Sequence, residues 1–226
     1  MTRHVRFPLL IAVALALGAA PASAADPYQD ARQTVSKRVS DLLARMTLEE
    51  KIGQMTQTER ARVTDDTSPI TTRHLGSILS GGGSTPAQNT PKEWADMVDR
   101  FQAAALKTRL GIPLIYGVDS VHGHGNLLGA TVFPHNIGLG ATRDPDLVRK
   151  AAHITAEETR ASGPQWTFAP CICAARDDRW GRTYESFSED AGLVTRMETA
   201  IDGFQGLART ARRPRPRARH REALRG

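Results

Sequence analysis

Two polar residues stand where the sequence alone could place chemistry. Asp119 closes the apolar run PLIYGVD over residues 113–119. A carboxylate at such a strand end can accept hydrogen bonds from two adjacent sugar hydroxyls in a partly desolvated pocket. The same aspartate would also serve as a helix cap or loop ligand, and its position alone leaves both readings open. Arg182 ends the run RWGR over residues 179–182. Its planar fork could donate to the same hydroxyls or pair with Glu185 or Glu189 on the surface. His122 and His124 flank Gly123, but no third ligand follows at a recognisable spacing, which favours a loop-shaping role over a metal site. Cys171 and Cys173 are separated by one residue, a poor spacing for a mutual disulfide, and lack the paired spacing of a zinc site. They read as small residues packed near a strand end. Neither Ser120 nor Ser186 lies in a G-x-S-x-G elbow, so acyl transfer has no support.

The elements that must position these residues alternate. Val35, Val39, Leu42, Leu43 and Met46 recur at helical spacing, and Thr47 with Glu50 forms a capping-box pattern for a second helix. The run HLGSILS (74–80) predicts a first strand, ending in Gly81, Gly82 and Gly83. Thr90, Pro91 and Glu93 then open a helix through Trp94, Val98 and Phe101. Residues 113–119 predict a second strand, and Asp144 with Pro145 starts the next helix. Residues 166–170 predict a third strand, followed by a helix capped by Ser188 that runs through Leu193, Met197 and Ile201. Strand and helix in alternation imply parallel strands with covering helices. No G-x-G-x-x-G turn follows the second or third strand, so a dinucleotide-binding sheet is disfavoured. Polar residues after the strands fit a closed (β/α)₈ barrel better, because barrel sites are built at strand C-termini.

The 226 residues carry 40 % hydrophobic and 24 % charged side chains, the balance of a soluble globular chain. Residues 1–24 stand apart. Arg3 and Arg6 precede an apolar run from Phe7 to Ala20, and Ala22, Ser23 and Ala24 give a small-residue cleavage pattern. This is the signature of a secretory signal peptide cleaved near Ala24, and the run is shorter than the ~20 residues of a bilayer span. A secreted or periplasmic product without a stable membrane anchor is expected. The formal charge of +6 sits in the last twenty residues, where eight arginines face the single acid Glu222. The tail's +7 leaves residues 1–206 near neutrality, so the basic balance says nothing about what the globular part binds. A nucleic-acid partner is disfavoured, since no aromatic residues interleave the arginines.

Five stretches resemble glycoside hydrolase family 3, in its branch of exo-acting β-glucosidases and β-glucan exohydrolases. They are RMTLEEKIGQM (45–55), GSILSGGG (76–83), IPLIYGVDSVHG (112–123), FPHNIGLGATRDP (133–145), and FAPC (168–171) with DRWGRTYESFSED (178–190). The likeness covers residues 36 to 206. It implies the incomplete N-terminal part of a (β/α)₈ barrel of α/β class over residues 25–206. It implies that Asp119 and Arg182 bind hydroxyls of the terminal glucose of a β-linked glucan or oligosaccharide, with no cofactor and no metal. It also implies retaining hydrolysis by a carboxylate nucleophile and a separate general acid/base.

The family's Lys-His strand, its Ser-Asp-Trp-like strand end with the nucleophile and its second domain with the acid/base have no counterpart in the 226 residues. No catalytic residue is therefore assigned, and the chain alone is expected to be inactive. The arginine-rich run 207–226 reads as an out-of-frame, disordered extension, since GC-rich codons read out of frame encode mostly Arg, Pro and Ala. Three strands with open edges are expected to make a marginal fragment, in which Leu114, Ile115 and Phe168 lose part of their intended burial.

Overall fold

The computed structural model describes residues 26–206; the expected signal peptide and the arginine-rich run lie outside them. The chain divides into two compact units between Arg45 and Met46. The first contains α1 (Val35–Arg45), at whose start the Tyr28 N–H donates to Asp41 at 3.2 Å and Arg38 donates to the Tyr28 carbonyl at 2.9 Å. The second unit contains the sheet, Asp119 and Arg182.

That unit opens with α2 (Leu48–Gln54), whose capping box forms as its sequence predicts. The Thr47 hydroxyl accepts from the Glu50 N–H, and the Glu50 carboxylate accepts from the Thr47 N–H. β1 (Gln57–Glu59) follows, then a 3₁₀ turn at 60–62, α3 (Ser68–Thr72), β2 (Ser77–Ser80) and α4 (Pro91–Ala105). β3 (Ile115–Val118) leads to α5 (Asn136–Ala141) and α6 (Pro145–Ala161). β4 (Trp166–Thr167) is followed by a 3₁₀ turn at 183–185, α7 (Ala191–Met197) and α8 (Thr199–Gln205).

All strand pairs are parallel and in chain order, β1-β2-β3-β4. Each strand is followed by helix, so the unit is a run of four βα repeats, the N-terminal part of a (β/α)₈ barrel. The sheet has four strands rather than the three expected. β1 escapes prediction because its sequence, QTE, has neither an apolar run nor alternation. The strands themselves are shorter than their apolar runs, four residues in β2 and β3 and two in β4.

Period-two alternation decides what each strand buries. Ile78, Tyr116 and Val118 face α4 and join Trp94, Met97, Val98 and Phe101 in one core, with Tyr116 stacked on Phe101. Leu114, just ahead of β3, belongs to this core and keeps its burial, whereas Ile115 on the opposite face is half exposed. Phe168 crosses that opposite face over Gly117, where a Cβ would lie 2.5 Å from the ring.

A second core, of Leu139, Val148, Ala152, Phe187, Val194, Met197 and Ala200, joins α5 to α8. The expected single final helix is two, α7 and α8, which share Glu198 as C-cap and N-cap. The N-cap of α7 is Asp190, which accepts from the Leu193 N–H at 2.9 Å, not Ser188. Ser188 instead takes the Asp190 N–H, at 3.0 Å. Cys171 and Cys173, expected to remain unpaired, form a disulfide. Their Cα atoms are 5.6 Å apart, within the range that a disulfide spans.

Candidate functional site

Asp119 follows the last residue of β3 and lies on the face of Ile115 and Gly117, at the C-terminal end of the sheet. Its backbone N–H continues the ladder to the Ser80 carbonyl at 3.4 Å. Its carboxylate accepts no hydrogen bond from any described residue, so its lone pairs remain for an incoming donor. Gly81 leaves room beside it, since a Cβ there would lie 3.9 Å from Asp119 Oδ2.

The backbone around Asp119 is fixed on two sides. Asn126 donates to the Gly81 carbonyl and accepts from the Gly83 N–H, both at 2.9 Å. Its own carbonyl accepts from Asn89, whose side-chain oxygen takes the Trp94 indole N–H at 2.8 Å. The glycine turn is thus tied through α4 to the loop after β3. On the other side the buried Ser120 hydroxyl lies 3.0 Å from His124 Nδ1 and accepts from Thr159 at 2.9 Å. His124 Nε2 lies 3.0 Å from the Ser162 hydroxyl, which donates to the Thr159 carbonyl. Those donors leave Ser120 to donate to Nδ1 and Ser162 to accept from Nε2–H, the arrangement of a neutral imidazole. Burial agrees, holding His124 down to a pKa of about 4. His124 is a loop anchor, as its spacing suggested.

Arg182 ends the loop after β4 and caps the 3₁₀ turn at 183–185. Of the two partners its sequence allowed, the structure chooses Glu185: Nε and Nη2 form a fork to the two carboxylate oxygens at 2.7 and 2.6 Å. The fork holds the Glu185 carboxyl below the usual glutamate range and raises Arg182, which also feels the charge of Asp119. The Glu185 carbonyl accepts from Asn136 at 2.8 Å. Ser186, buried beside it, donates toward the Cys173 and Ser188 carbonyls. The rings of His122, His135 and Tyr184 pack in series, the first pair tilted with centroids 3.8 Å apart and the second edge-on at 4.6 Å.

The sequence marks Asp119 and Arg182 as candidates, and the structure adds the residues that hold their loops in place. Asn126 lies outside the five family-like stretches, and His135 and Asn136 lie inside the 133–145 stretch without a role that the stretch assigns. Only their distance in the chain from the residues they bind shows their role, and that is invisible before folding. Among the described residues no group of three or more His, Cys, Asp or Glu side chains could hold a metal ion. A groove of about 790 Å³ beside β1, lined by Ile52, Val63, Pro69 and Leu75 among others, includes neither Asp119 nor Arg182. Glu49, Thr56, Gln57, Thr58, Arg62 and Arg73 also line it, but it takes in none of the C-terminal ends of β2, β3 and β4, where barrel sites are built, so the strand ends remain the better candidate.

The family profile described as "Glycosyl hydrolase family 3 N terminal domain" matches residues 47–212. The chain belongs to glycosyl hydrolase family 3. It is 37 % identical over 199 residues to the lysosomal beta glucosidase of Dictyostelium discoideum, covering 79 % of this chain and 24 % of that protein. It is 34 % identical over 201 residues to the periplasmic beta-glucosidase of Salmonella typhimurium, covering 87 % of this chain and 25 % of the relative. The crystal structure of an exo-1,3/1,4-beta-glucanase from a Pseudoalteromonas species superposes with a TM-score of 0.70 at 44 % identity, covering 75 % of this chain and 22 % of that one. This glycosyl hydrolase family 3 chain thus spans about a quarter of the length of these relatives.

Proposed function

We propose that these residues supply the sugar-binding wall of a β-glucosidase-type site that acts on the terminal non-reducing β-D-glucosyl residue of glucans or oligosaccharides. The observation that carries the reading is the unengaged Asp119 carboxylate at the C-terminal end of β3, with the Arg182 guanidinium within range of its charge. A carboxylate and a guanidinium can between them accept from and donate to hydroxyls of one pyranose ring. The names of the relatives, glucosidases and a glucanase, support the same substrate class.

Retaining hydrolysis needs two carboxyl groups about 5 Å apart on opposite sides of the glycosidic bond. Near the strand ends, Glu185 is committed to Arg182, and Glu59 accepts from the Ala61 N–H and the Ser84 hydroxyl. The nucleophile and the acid/base are therefore proposed to come from segments beyond these residues, with this chain alone binding sugar without cleaving it. Export to the periplasm or medium belongs to the same proposal, and the periplasmic Salmonella relative supports it.

The test is titration of the 226-residue chain with D-glucose, followed by tryptophan fluorescence, beside an aryl β-D-glucoside hydrolysis assay. Saturable glucose binding that disappears in Asp119→Ala, without hydrolysis, is expected. Glucose binding that Asp119→Ala leaves unchanged would remove the reading. Hydrolysis by the chain itself would restore the catalytic pair to these residues.

A further inference from the structure

Arg182 and Glu185 are unequal partners. The arginine side chain is 66 % exposed and the glutamate side chain 12 % exposed. An ordinary surface pair has both ends in water and is worth little. Here the acid is sunk into the wall and the cation stands out from it.

The fork has a direction. Glu185 takes Nε and Nη2 of Arg182, and Nη1 has no hydrogen-bond partner among the described residues. A guanidinium gripped along that edge cannot rotate about its last bonds, and its Nη1 edge is left unpaired among the described residues. Glu185 is itself held at three points: its carbonyl by Asn136, its neighbour Ser186 by the 173–188 loop, and its turn by the Tyr184 ring packed edge-on against His135. His135 in turn stacks on His122, three residues beyond Asp119.

We infer that Glu185 is a positioning residue, which fixes the guanidinium of Arg182 through its Nε edge so that Nη1 points at the sugar position beside Asp119, with the His122–His135–Tyr184 stack setting the spacing of the two loops. The inference rests on the sugar-binding reading above and deepens it. Glu185 does not touch the substrate. It removes the rotamer freedom that an exposed arginine would otherwise lose on binding. Glu189, the other partner that the sequence allowed, makes no hydrogen bond or ion pair to Arg182 among the described residues.

The experiment uses the ¹⁵N-labelled 226-residue chain and reads the arginine Nε–H signals, with Arg182→Lys identifying the Arg182 peak by its loss. Hydrogen exchange of that Nε–H is expected to be slower than that of Arg149, whose contact to Asp146 is through Nη2. Glu185→Gln, checked for folding by its amide spectrum, is expected to return the rate to the Arg149 range and to weaken D-glucose binding about tenfold. An unprotected Arg182 Nε–H in the unaltered chain overturns the inference even if the variant fails to fold. Unchanged glucose affinity in a folded Glu185→Gln overturns it as well. Failure of the unaltered chain to bind glucose sinks the sugar-binding reading and the purpose given to the clamp, while the exchange rates still decide whether Glu185 holds Arg182.

Discussion

His124 packs edge-on against Trp94, with ring centroids 5.1 Å apart and planes at 72°, and both residues are fully buried. The contact joins the loop that follows Asp119 to the helix that covers β2 and β3. Because His124 is also spanned by Ser120 and Ser162, this part of the fold accommodates the imidazole only in its neutral form.

That has a consequence for acid stability. The His124 pKa is lowered by burial from 6.5 to about 4. Above pH 6.5 the imidazole is neutral folded or unfolded, and titration adds nothing. As pH falls from 6.5 to about 4 the unfolded chain takes up a proton that the folded chain refuses, so stability is lost progressively, by about 3 kcal/mol at the end of the window. Thermal midpoints between pH 7 and pH 4 should fall more steeply for the unaltered chain than for His124→Gln. Parallel curves would show that His124 titrates alike in both states.

Glu50 gives a second, lower window. Its side chain is 6 % exposed and takes a fork from Arg109 at 3.0 and 2.6 Å while closing the α2 capping box. The Arg109 fork lowers its pKa against the opposing effect of burial. Its contribution is therefore present above the unfolded glutamate value, near 4.3, and is lost as pH falls through the lowered folded value. Arg109 is half exposed, which weakens the pair. Glu50→Ala, which also deletes the cap, should cost about 2 kcal/mol at pH 7 by urea denaturation, and Glu50→Gln, which can keep the cap, about half of that. Equal losses would assign the effect to the charge alone.

Much of this scaffold is legible before folding, and the reason is local. Thr47, Thr90 and Asp144 cap their own helices within three residues, so the spacing of donor and acceptor is written in the chain. Asp119 is visible because an apolar run ends on it. β1 is not, since QTE becomes a strand only when β2 supplies its partner. The choice of Glu185 over Glu189 depends on the 3₁₀ turn at 183–185, whose short geometry brings residue 185 back onto residue 182. The break between α7 and α8 has no proline or glycine to announce it, and nothing in the structure explains why it falls at Glu198.

Gly76 and Gly82 lie six residues apart around β2 and should respond in opposite ways. A Cβ at Gly76 would lie 2.0 Å from the Gln54 carbonyl oxygen, a backbone atom at the end of α2 that cannot swing aside. A Cβ at Gly82 would meet nothing within 4 Å. Gly76→Ala should destabilise the unit by about 3 kcal/mol, the upper end of ordinary overpacking, whereas Gly82→Ala should stay within about 0.5 kcal/mol. Urea midpoints measured in parallel decide it, and a neutral Gly76→Ala would mean that α2 does not rest on β2 in solution.

Asp119 allows the functional reading to be separated from stability. Its carboxylate bonds to no described residue, and its backbone is held by Ser80, so Asp119→Asn removes a charge without removing an internal partner. Stability should therefore change by no more than about 0.5 kcal/mol. Glucose affinity should fall by about tenfold or more, because an amide presents one acceptor and one donor where two hydroxyls both need an acceptor. The informative quantity is the ratio of the two effects, measured by calorimetric titration and thermal melting on the same preparation. A large loss of stability with a proportional loss of binding would return Asp119 to the role of a loop ligand, the alternative that its place at a strand end allowed from the start.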